Sequence, residues 1–176
     1  MTGFISLARD RDSGQVTVDP KTGRPLMDYS PSNFDRRHAL EGVIGIAKMC
    51  YVEGALEIRP FLHWIEPFVR EVGTEGKDYK DDKAFMKWLD RVREVGNKAP
   101  LGTFLSAHQM GSCRMSATES GGVVDGRGKV YGAEGLFVAD ASVFPSASGV
   151  NPMLTTMAIA DHIGSGVVKE LETSKL

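Results

Sequence analysis

The stretch SAHQMGSCRM, residues 106–115, places a histidine, a cysteine and an arginine among small side chains. Imidazole, with an ordinary pKa of about 6.5, can accept a proton near neutral pH. Glycine and other small neighbours let further groups approach the backbone closely. His108 is therefore a candidate catalytic base, a candidate metal ligand or a packed core residue, and the residues further along the chain must decide among the three.

Two other kinds of site are disfavoured by the residues nearby. A structural zinc site needs four ligands, and His108 and Cys113 have no second close pair of ligands, so no metal site is expected. A serine nucleophile on a strand-to-helix turn needs a G-x-S-x-G pattern, which is absent around Ser142, Ser146 and Ser148. The remaining histidines are interpreted as packing or surface residues: His38, His63 and His162.

The elements that must position His108 follow in the second half of the chain. The run LFVAD, residues 136–140, is apolar and bounded by turn residues, which predicts a strand buried in a parallel sheet. Asn151 suits the N-cap of a helix, and Pro152 suits its first position, before an apolar run to about Leu171. No earlier run offers a parallel neighbour for LFVAD, so the sheet is expected to be incomplete in this chain.

The start of the chain predicts a hairpin and a helix. Val16 and Val18 alternate with polar residues, and DPKTGRP supplies turn residues, so a hairpin is predicted over residues 15–29. The Ser and Asn residues of SPSNFDRR then offer caps for a helix from Arg36 to about Tyr51. The segment ALEIR that follows suits a short strand.

Two further helices are predicted between the first helix and the glycine-rich region. A stripe of apolar side chains after Pro60 predicts one of them, interrupted at Pro67, with a face that packs on the core. The stripe consists of Phe61, Ile65, Phe68, Val69 and Val72. Contact with a membrane surface and the lining of a tunnel for an apolar substrate are alternatives for it. Residues 77–95 predict the other helix, with acidic residues in its first turn and Phe85, Leu89 and Val92 on one face.

Composition narrows the classes of partner. The net charge of −2 provides no general attraction to nucleic acid, so no nucleic-acid partner is expected. Only two cysteines are present, which favours a reducing compartment. No run of about 18 apolar residues occurs, so no transmembrane segment is expected. The final tripeptide, Ser174-Lys175-Leu176, is typical of a peroxisomal address, which makes the peroxisomal import receptor a candidate partner.

Three segments in order carry a resemblance to a known family: HQMGSCRM, GGVVDGRGKVYGAEGLFVADASVFP and SGVNPMLTTMAIADHI. Together they resemble the C-terminal signature of the glucose–methanol–choline (GMC) oxidoreductases, which are flavin enzymes that oxidise alcohols. The upstream segments RDRDSGQVTVDP and DRRHALEGVIGIAKMCYVEGALEI are more specifically similar to long-chain fatty alcohol oxidases. The resemblance extends over nearly the whole chain and is weakest over residues 70–100.

The resemblance implies a fold and a domain organisation. The fold class is α/β, a fragment of a larger two-domain fold. Residues 1–105 correspond to the C-terminal part of an α+β substrate-binding domain. Residues 106–176 correspond to the segment that returns to a Rossmann-like FAD domain and completes the active site.

The resemblance also implies roles for particular residues. His108 matches the active-site histidine, and Asn151 matches the second catalytic position. The positions that lie near the FAD cofactor are Asp140, Ala141, Asn151, Pro152 and Met153. These types suit alcohol oxidation, since an imidazole accepts the hydroxyl proton, an amide donates to the developing alkoxide, and flavin carries the hydride. The implied reaction converts a primary long-chain alcohol and oxygen into an aldehyde and hydrogen peroxide.

The sequence departs from the family pattern in one respect. No G-x-G-x-x-G follows an early strand, and that turn holds the pyrophosphate of a dinucleotide. We therefore expect this chain to need a missing N-terminal FAD-binding portion as a partner, and to bind no FAD and turn over no alcohol by itself. A GMC dehydrogenase that uses another electron acceptor and a non-catalytic remnant or interaction module are the alternatives.

Overall fold

The computed structural model describes residues 1–74 and 76–173. The chain divides into two units, each of which consists of two separate stretches of sequence. The first unit comprises Met1–Ala8 and Pro31–Leu105, and the second comprises Arg9–Ser30 and Ser106–Leu176. The predicted peroxisomal tripeptide, Ser174-Lys175-Leu176, lies outside the described residues.

The predicted hairpin is confirmed and belongs to the second unit. Strand β1 (Gln15–Val18) pairs antiparallel with β2 (Pro25–Asp28), with Val16 opposite Met27. The Asp19 carboxylate stabilises the turn by accepting hydrogen bonds from the Lys21 amide at 2.8 Å and the Thr22 hydroxyl at 2.7 Å. All eight strand residues are exposed, so the hairpin is held by its turn and backbone pairing rather than by a core of its own.

Two of the predicted helices of the first unit are confirmed, and their caps explain where they begin. Helix α1 (Asn33–Val52) begins after Ser32, whose hydroxyl accepts a hydrogen bond from the Asp35 amide at 3.1 Å. Helix α2 (Lys83–Val95) begins after Asp82, whose carboxylate accepts one from the Phe85 amide at 3.0 Å. A side-chain cap of this kind contributes about 1 kcal/mol. The acidic residues predicted in the first turn of α2 lie before the helix instead.

The predicted helix after Pro60 is wrong. Strand β3 (Glu57–Ile58) precedes this segment, and strand β4 (Phe68–Val69) within it pairs with β3 in antiparallel register. Trp64 has a φ of +67°, which no right-handed helix accommodates. Of the predicted stripe, Phe68 is buried and Ile65 is partly buried, whereas the other three members are exposed. The stripe therefore does not form one face.

The core of the first unit lies between the two helices and β3–β4. Its nine buried residues are Leu40, Ile44, Ala47, Tyr51, Ile58, Phe68, Phe85, Leu89 and Val92. The Tyr51 hydroxyl donates to the Asp82 carboxylate at 2.8 Å beneath the start of α2. Burial raises the pKa of the Asp82 carboxyl, but hydrogen bonds from the Phe85 amide and the Tyr51 hydroxyl outweigh it, so this pKa lies below its usual value. The core thus ties α1 to the cap of α2.

The second unit is built from short backbone bridges around a small core. Its buried residues are Val124, Val143, Phe144 and Ile163. Ile163 lies on helix α3 (Met153–Thr173), and Val143 ends a 3₁₀ helix, Ala141–Val143. The side chains of Val124 and Val143 pack in one cluster with Ile163 of α3.

The predicted parallel strand over residues 136–140 is wrong. The segment forms one antiparallel bridge, between Phe137 and Lys129, and the Val138 amide donates to the Gly128 carbonyl at 2.9 Å. Leu136 is exposed. A parallel strand requires a neighbour to pair with, and the bridge that the described residues form with 136–140 is antiparallel.

Helix α3 begins one residue later than predicted. The Pro152 carbonyl accepts the first helical hydrogen bond, from the Thr156 amide at 2.8 Å, so Pro152 and not Asn151 occupies the N-cap position. This shift leaves the Asn151 side chain available for other contacts.

The mixture of helices and strands agrees with the predicted α/β class at that coarse level. Among the described residues, no helix has the length and apolar character needed to cross a bilayer.

Candidate active site

His108 and Asn151, the two predicted catalytic residues, lie side by side. Nε2 of the imidazole is 3.0 Å from the Oδ1 atom of Asn151, which is a normal hydrogen-bond distance. The two residues are separated by 43 positions in the chain, and both are exposed. The structure therefore brings an ionisable side chain and an amide together at a surface that other groups can reach.

The segment that carries His108 is aligned by backbone hydrogen bonds to the 3₁₀ helix. The Cys113 amide donates to the Ser142 carbonyl and the Met115 amide to the Val143 carbonyl, both at 2.9 Å. Gly111 adopts a φ of +84° between His108 and these bonds, and a Cβ atom there would lie 3.2 Å from the Phe144 carbonyl oxygen. Glycine thus allows the chain to turn towards His108 where space is restricted.

Cys113 has a structural place in this arrangement. It is a free, half-buried thiol whose backbone forms part of the alignment just described. Among residues 1–74 and 76–173, no group of three or more potential metal-ligating side chains comes together.

Asn151 is positioned by a loop that is anchored at both ends. Phe144 is buried before the loop and Pro152 is buried after it. Within the loop the Ser148 hydroxyl donates to the Val150 carbonyl at 2.6 Å, which tightens the turn just before Asn151. The amide side chain consequently stands at the N-terminal end of α3, where the backbone N–H groups of the first turn lack helical acceptors.

The predicted flavin-contacting positions lie on both sides of this loop. Asp140 is exposed and caps the 3₁₀ helix by accepting a hydrogen bond from the Ser142 amide at 2.8 Å. Hydrogen bonds from the Ser142 hydroxyl and amide lower the pKa of the Asp140 carboxyl, so this group is a carboxylate near neutral pH. Ala141 is half-buried, Pro152 is buried, and Met153 is exposed.

The hydrogen bond between the pair determines where its hydrogens lie. Oδ1 of Asn151 is only an acceptor, so Nε2 of His108 donates in this arrangement and the ring's lone pair is on Nδ1. The Nδ2 group of Asn151 remains as a donor. The pair thus presents an amide donor beside an imidazole whose nitrogen can accept a proton once the Oδ1 contact is replaced.

The sequence did not predict that Arg9 contacts the loop that carries Asn151. The Nη2 atom of Arg9 donates to the Ser146 hydroxyl at 3.1 Å, in the loop that leads to Asn151. The pattern RDRDSG contained the residue, but no local feature indicates a partner 137 positions away.

A family model described as GMC oxidoreductase matches residues 10–160, a range that includes both members of the pair. The chain belongs to the GMC oxidoreductase family. The resemblance inferred from the signature segments is thereby confirmed at the level of the family.

The chain is similar to two plant long-chain-alcohol oxidases and to a fungal dehydrogenase. Over 94% of the present chain, it is 38% identical to the long-chain-alcohol oxidase FAO4A of Arabidopsis thaliana. Over 96% of the present chain, it is 34% identical to FAO4B of the same plant. It is also 36% identical to an Armillaria gallica protein named as a dehydrogenase, over 53% of its length. The chain spans only about a fifth of the length of the two plant oxidases.

Proposed function

We propose that this chain forms the proton-transferring part of an FAD-dependent alcohol oxidase whose substrates are primary long-chain alcohols. The observation that carries the proposal is the 3.0 Å contact between His108 and Asn151 beside the start of α3. The substrate class follows that of the two plant relatives, which are named long-chain-alcohol oxidases. Oxygen is the proposed acceptor, so one alcohol and one O₂ give one aldehyde and one H₂O₂.

The two side chains divide the proton chemistry. An alcohol hydroxyl that replaces Oδ1 of Asn151 beside His108 meets Nε2 as a lone-pair acceptor, in the other imidazole tautomer. Nε2 then takes the hydroxyl proton, while Nδ2 of Asn151 donates to the oxygen as negative charge develops on it. The bound flavin supplies the acceptor for the hydride that leaves the carbon.

The residues around the pair suit a flavin. The first turn of α3 offers N–H donors and roughly half a positive charge, which favours an electron-rich ring that gains negative charge on reduction. Asp140 offers an ionised acceptor for hydroxyl groups, and exposed Met153 offers apolar contact. The turn that grips a pyrophosphate is absent from these residues, so the proposed flavin-binding portion is supplied from outside them.

Peroxide release tests the proposed reaction. We expect flavin-loaded protein that contains this chain to consume oxygen with a primary C12–C18 alcohol and to form peroxide and aldehyde in equal amounts. The matched control is the corresponding secondary alcohol, which cannot give an aldehyde. Reduction of the flavin without peroxide, together with reduction of an added quinone, would instead support the dehydrogenase, which the Armillaria relative favours. A flavin that no alcohol reduces would refute both.

We further propose a peroxisomal location, supported by the tripeptide Ser174-Lys175-Leu176. The import receptor reads this tripeptide with a free carboxylate, so the proposal applies when Leu176 ends the protein. A fluorescent protein fused at the N-terminus is expected to give peroxisomal puncta. One added glycine after Leu176 is expected to return the fluorescence to the cytosol. The same distribution for both fusions would contradict the address.

A further inference from the structure

Arg9 contacts the loop that carries Asn151 through its guanidinium group. Nη2 donates to the Ser146 hydroxyl at 3.1 Å, and the two residues are 137 positions apart. The planar guanidinium holds its hydrogens in fixed directions, so it defines the position of an acceptor better than a flexible ammonium does. One end of the loop is therefore tied to the segment that precedes β1.

A second contact between the same two segments is independent of the hydrogen bond. Gly149 has a φ of +69°, and a Cβ atom placed on it would lie 2.8 Å from Cβ of Arg9. The same atom would lie 3.4 Å from Cγ and 3.5 Å from Cα of Arg9. The backbone of the loop thus lies directly against the stem of Arg9, with no room for a side chain between them.

The segment around Arg9 is itself held in place. The Tyr29 hydroxyl, just after β2, donates to the Asp10 carboxylate at 2.8 Å. A Cβ atom on Gly14 would clash with the Asp28 carbonyl oxygen, so the chain also passes close to the end of β2 before β1 begins. Arg9 therefore contacts the loop, and the backbone around Arg9 is itself held by contacts with the hairpin.

We infer that Arg9 is a positioning residue for Asn151. Its stem limits the outward movement of Gly149, its guanidinium retains Ser146, and together they keep Asn151 within hydrogen-bonding distance of His108. Arg9 acts through the loop. The inference rests on the proposed function for its catalytic consequence, whereas the effect on the loop itself does not depend on flavin.

The test compares Arg9→Ala with Arg9→Lys and with Arg11→Ala. Arg11 lies two positions further along the chain, is exposed, and donates from its guanidinium to the carboxylate of its neighbour Asp12. In Arg9→Ala, we expect the backbone order parameter S² at residues 147–151 to fall from about 0.85 to below about 0.6, and kcat to fall about 10-fold with little change in KM, as expected for a misplaced group. Lysine keeps the stem and a donor, so Arg9→Lys is expected to recover most of this order.

A second comparison uses glycine. Gly149→Ala and Gly23→Ala carry the same backbone strain, at φ +69° and +67°, but a Cβ atom at Gly23 meets nothing within 4 Å. We expect lower order parameters at residues 147–151 in Gly149→Ala and unchanged ones there in Gly23→Ala. Order parameters in Arg9→Ala that equal those in Arg11→Ala would overturn the inference. Lower order parameters in a protein whose flavin no alcohol reduces would leave the contact intact and refute the proposed function instead.

Discussion

Replacement of His108 by alanine is expected to slow the reduction of the flavin by an alcohol at least 100-fold in the loaded protein, the effect typical of a lost general base. Alanine leaves Asn151 without its partner at 3.0 Å and removes the nitrogen that is proposed to accept the hydroxyl proton. Stopped-flow absorbance of the flavin, measured anaerobically with a primary alcohol, isolates this step from the reaction with oxygen. Binding of the alcohol is expected to change much less than the rate.

His162→Ala is the matched control for this prediction. His162 is exposed on α3 in the same unit, so the substitution removes an imidazole without changing the pair. Its flavin is expected to be reduced at the rate of the unsubstituted protein. If His108→Ala behaves like His162→Ala, proton transfer does not pass through His108, and the proposed division of roles with Asn151 fails.

Gly128→Ala is expected to lower the free energy of unfolding of the second unit by about 2–5 kcal/mol, as the sum of left-handed backbone strain and overpacking. Gly128 has a φ of +75°, and a Cβ atom there would lie 2.6 Å from the Val138 carbonyl oxygen and 2.7 Å from Cδ1 of Ile163. Neither neighbour moves freely, because the Val138 amide is bonded to Gly128 and Ile163 is almost fully buried. The substitution therefore forces 136–140 or α3 out of place.

Gly126→Ala, two positions earlier, provides the control for Gly128. A Cβ atom at Gly126 meets nothing within 4 Å, so a change within about 0.5 kcal/mol is expected. Both tryptophans lie in the first unit, so unfolding of the second unit is best followed by native-state hydrogen exchange at the Met115 and Val130 amides, which donate hydrogen bonds at 2.9 Å. Equal unfolding free energies for the two alanine variants would show that the close approach at Gly128 is relieved at little cost.

The predictions that came true from the sequence depend on neighbours in the chain. Helix α1 could be predicted because Ser32 caps it locally, and the hairpin could be predicted because its turn residues lie between its two strands. The assignment of His108 and Asn151 as a catalytic pair came from a family pattern; the structure places the two in contact, and their catalytic role stays a prediction. Without the family pattern, the residue types near His108 leave three possible roles for it: catalytic base, metal ligand or packed core residue.

The predictions that failed depend on partners elsewhere in space. The segment LFVAD has the composition of a buried parallel strand, but composition carries no information on whether a neighbouring strand is present. The stripe after Pro60 has helical spacing, yet Phe68 belongs to strand β4 and pairs with Ile58 of β3, which precedes the proline. The contact of Arg9 with Ser146 spans 137 positions and leaves no trace in local sequence.

The discontinuous second unit sets a minimum waiting time during synthesis. Arg9–Ser30 leaves the ribosome first, and the whole of Pro31–Leu105 follows before the rest of the unit begins. At about 5–20 residues per second, the 137 positions between Arg9 and Ser146 take roughly 7–27 s to translate. During that interval the hairpin lacks the loop that it later supports. The candidate active site therefore forms only after residues 31–105 have been made, although Arg9, which contacts its loop, precedes them.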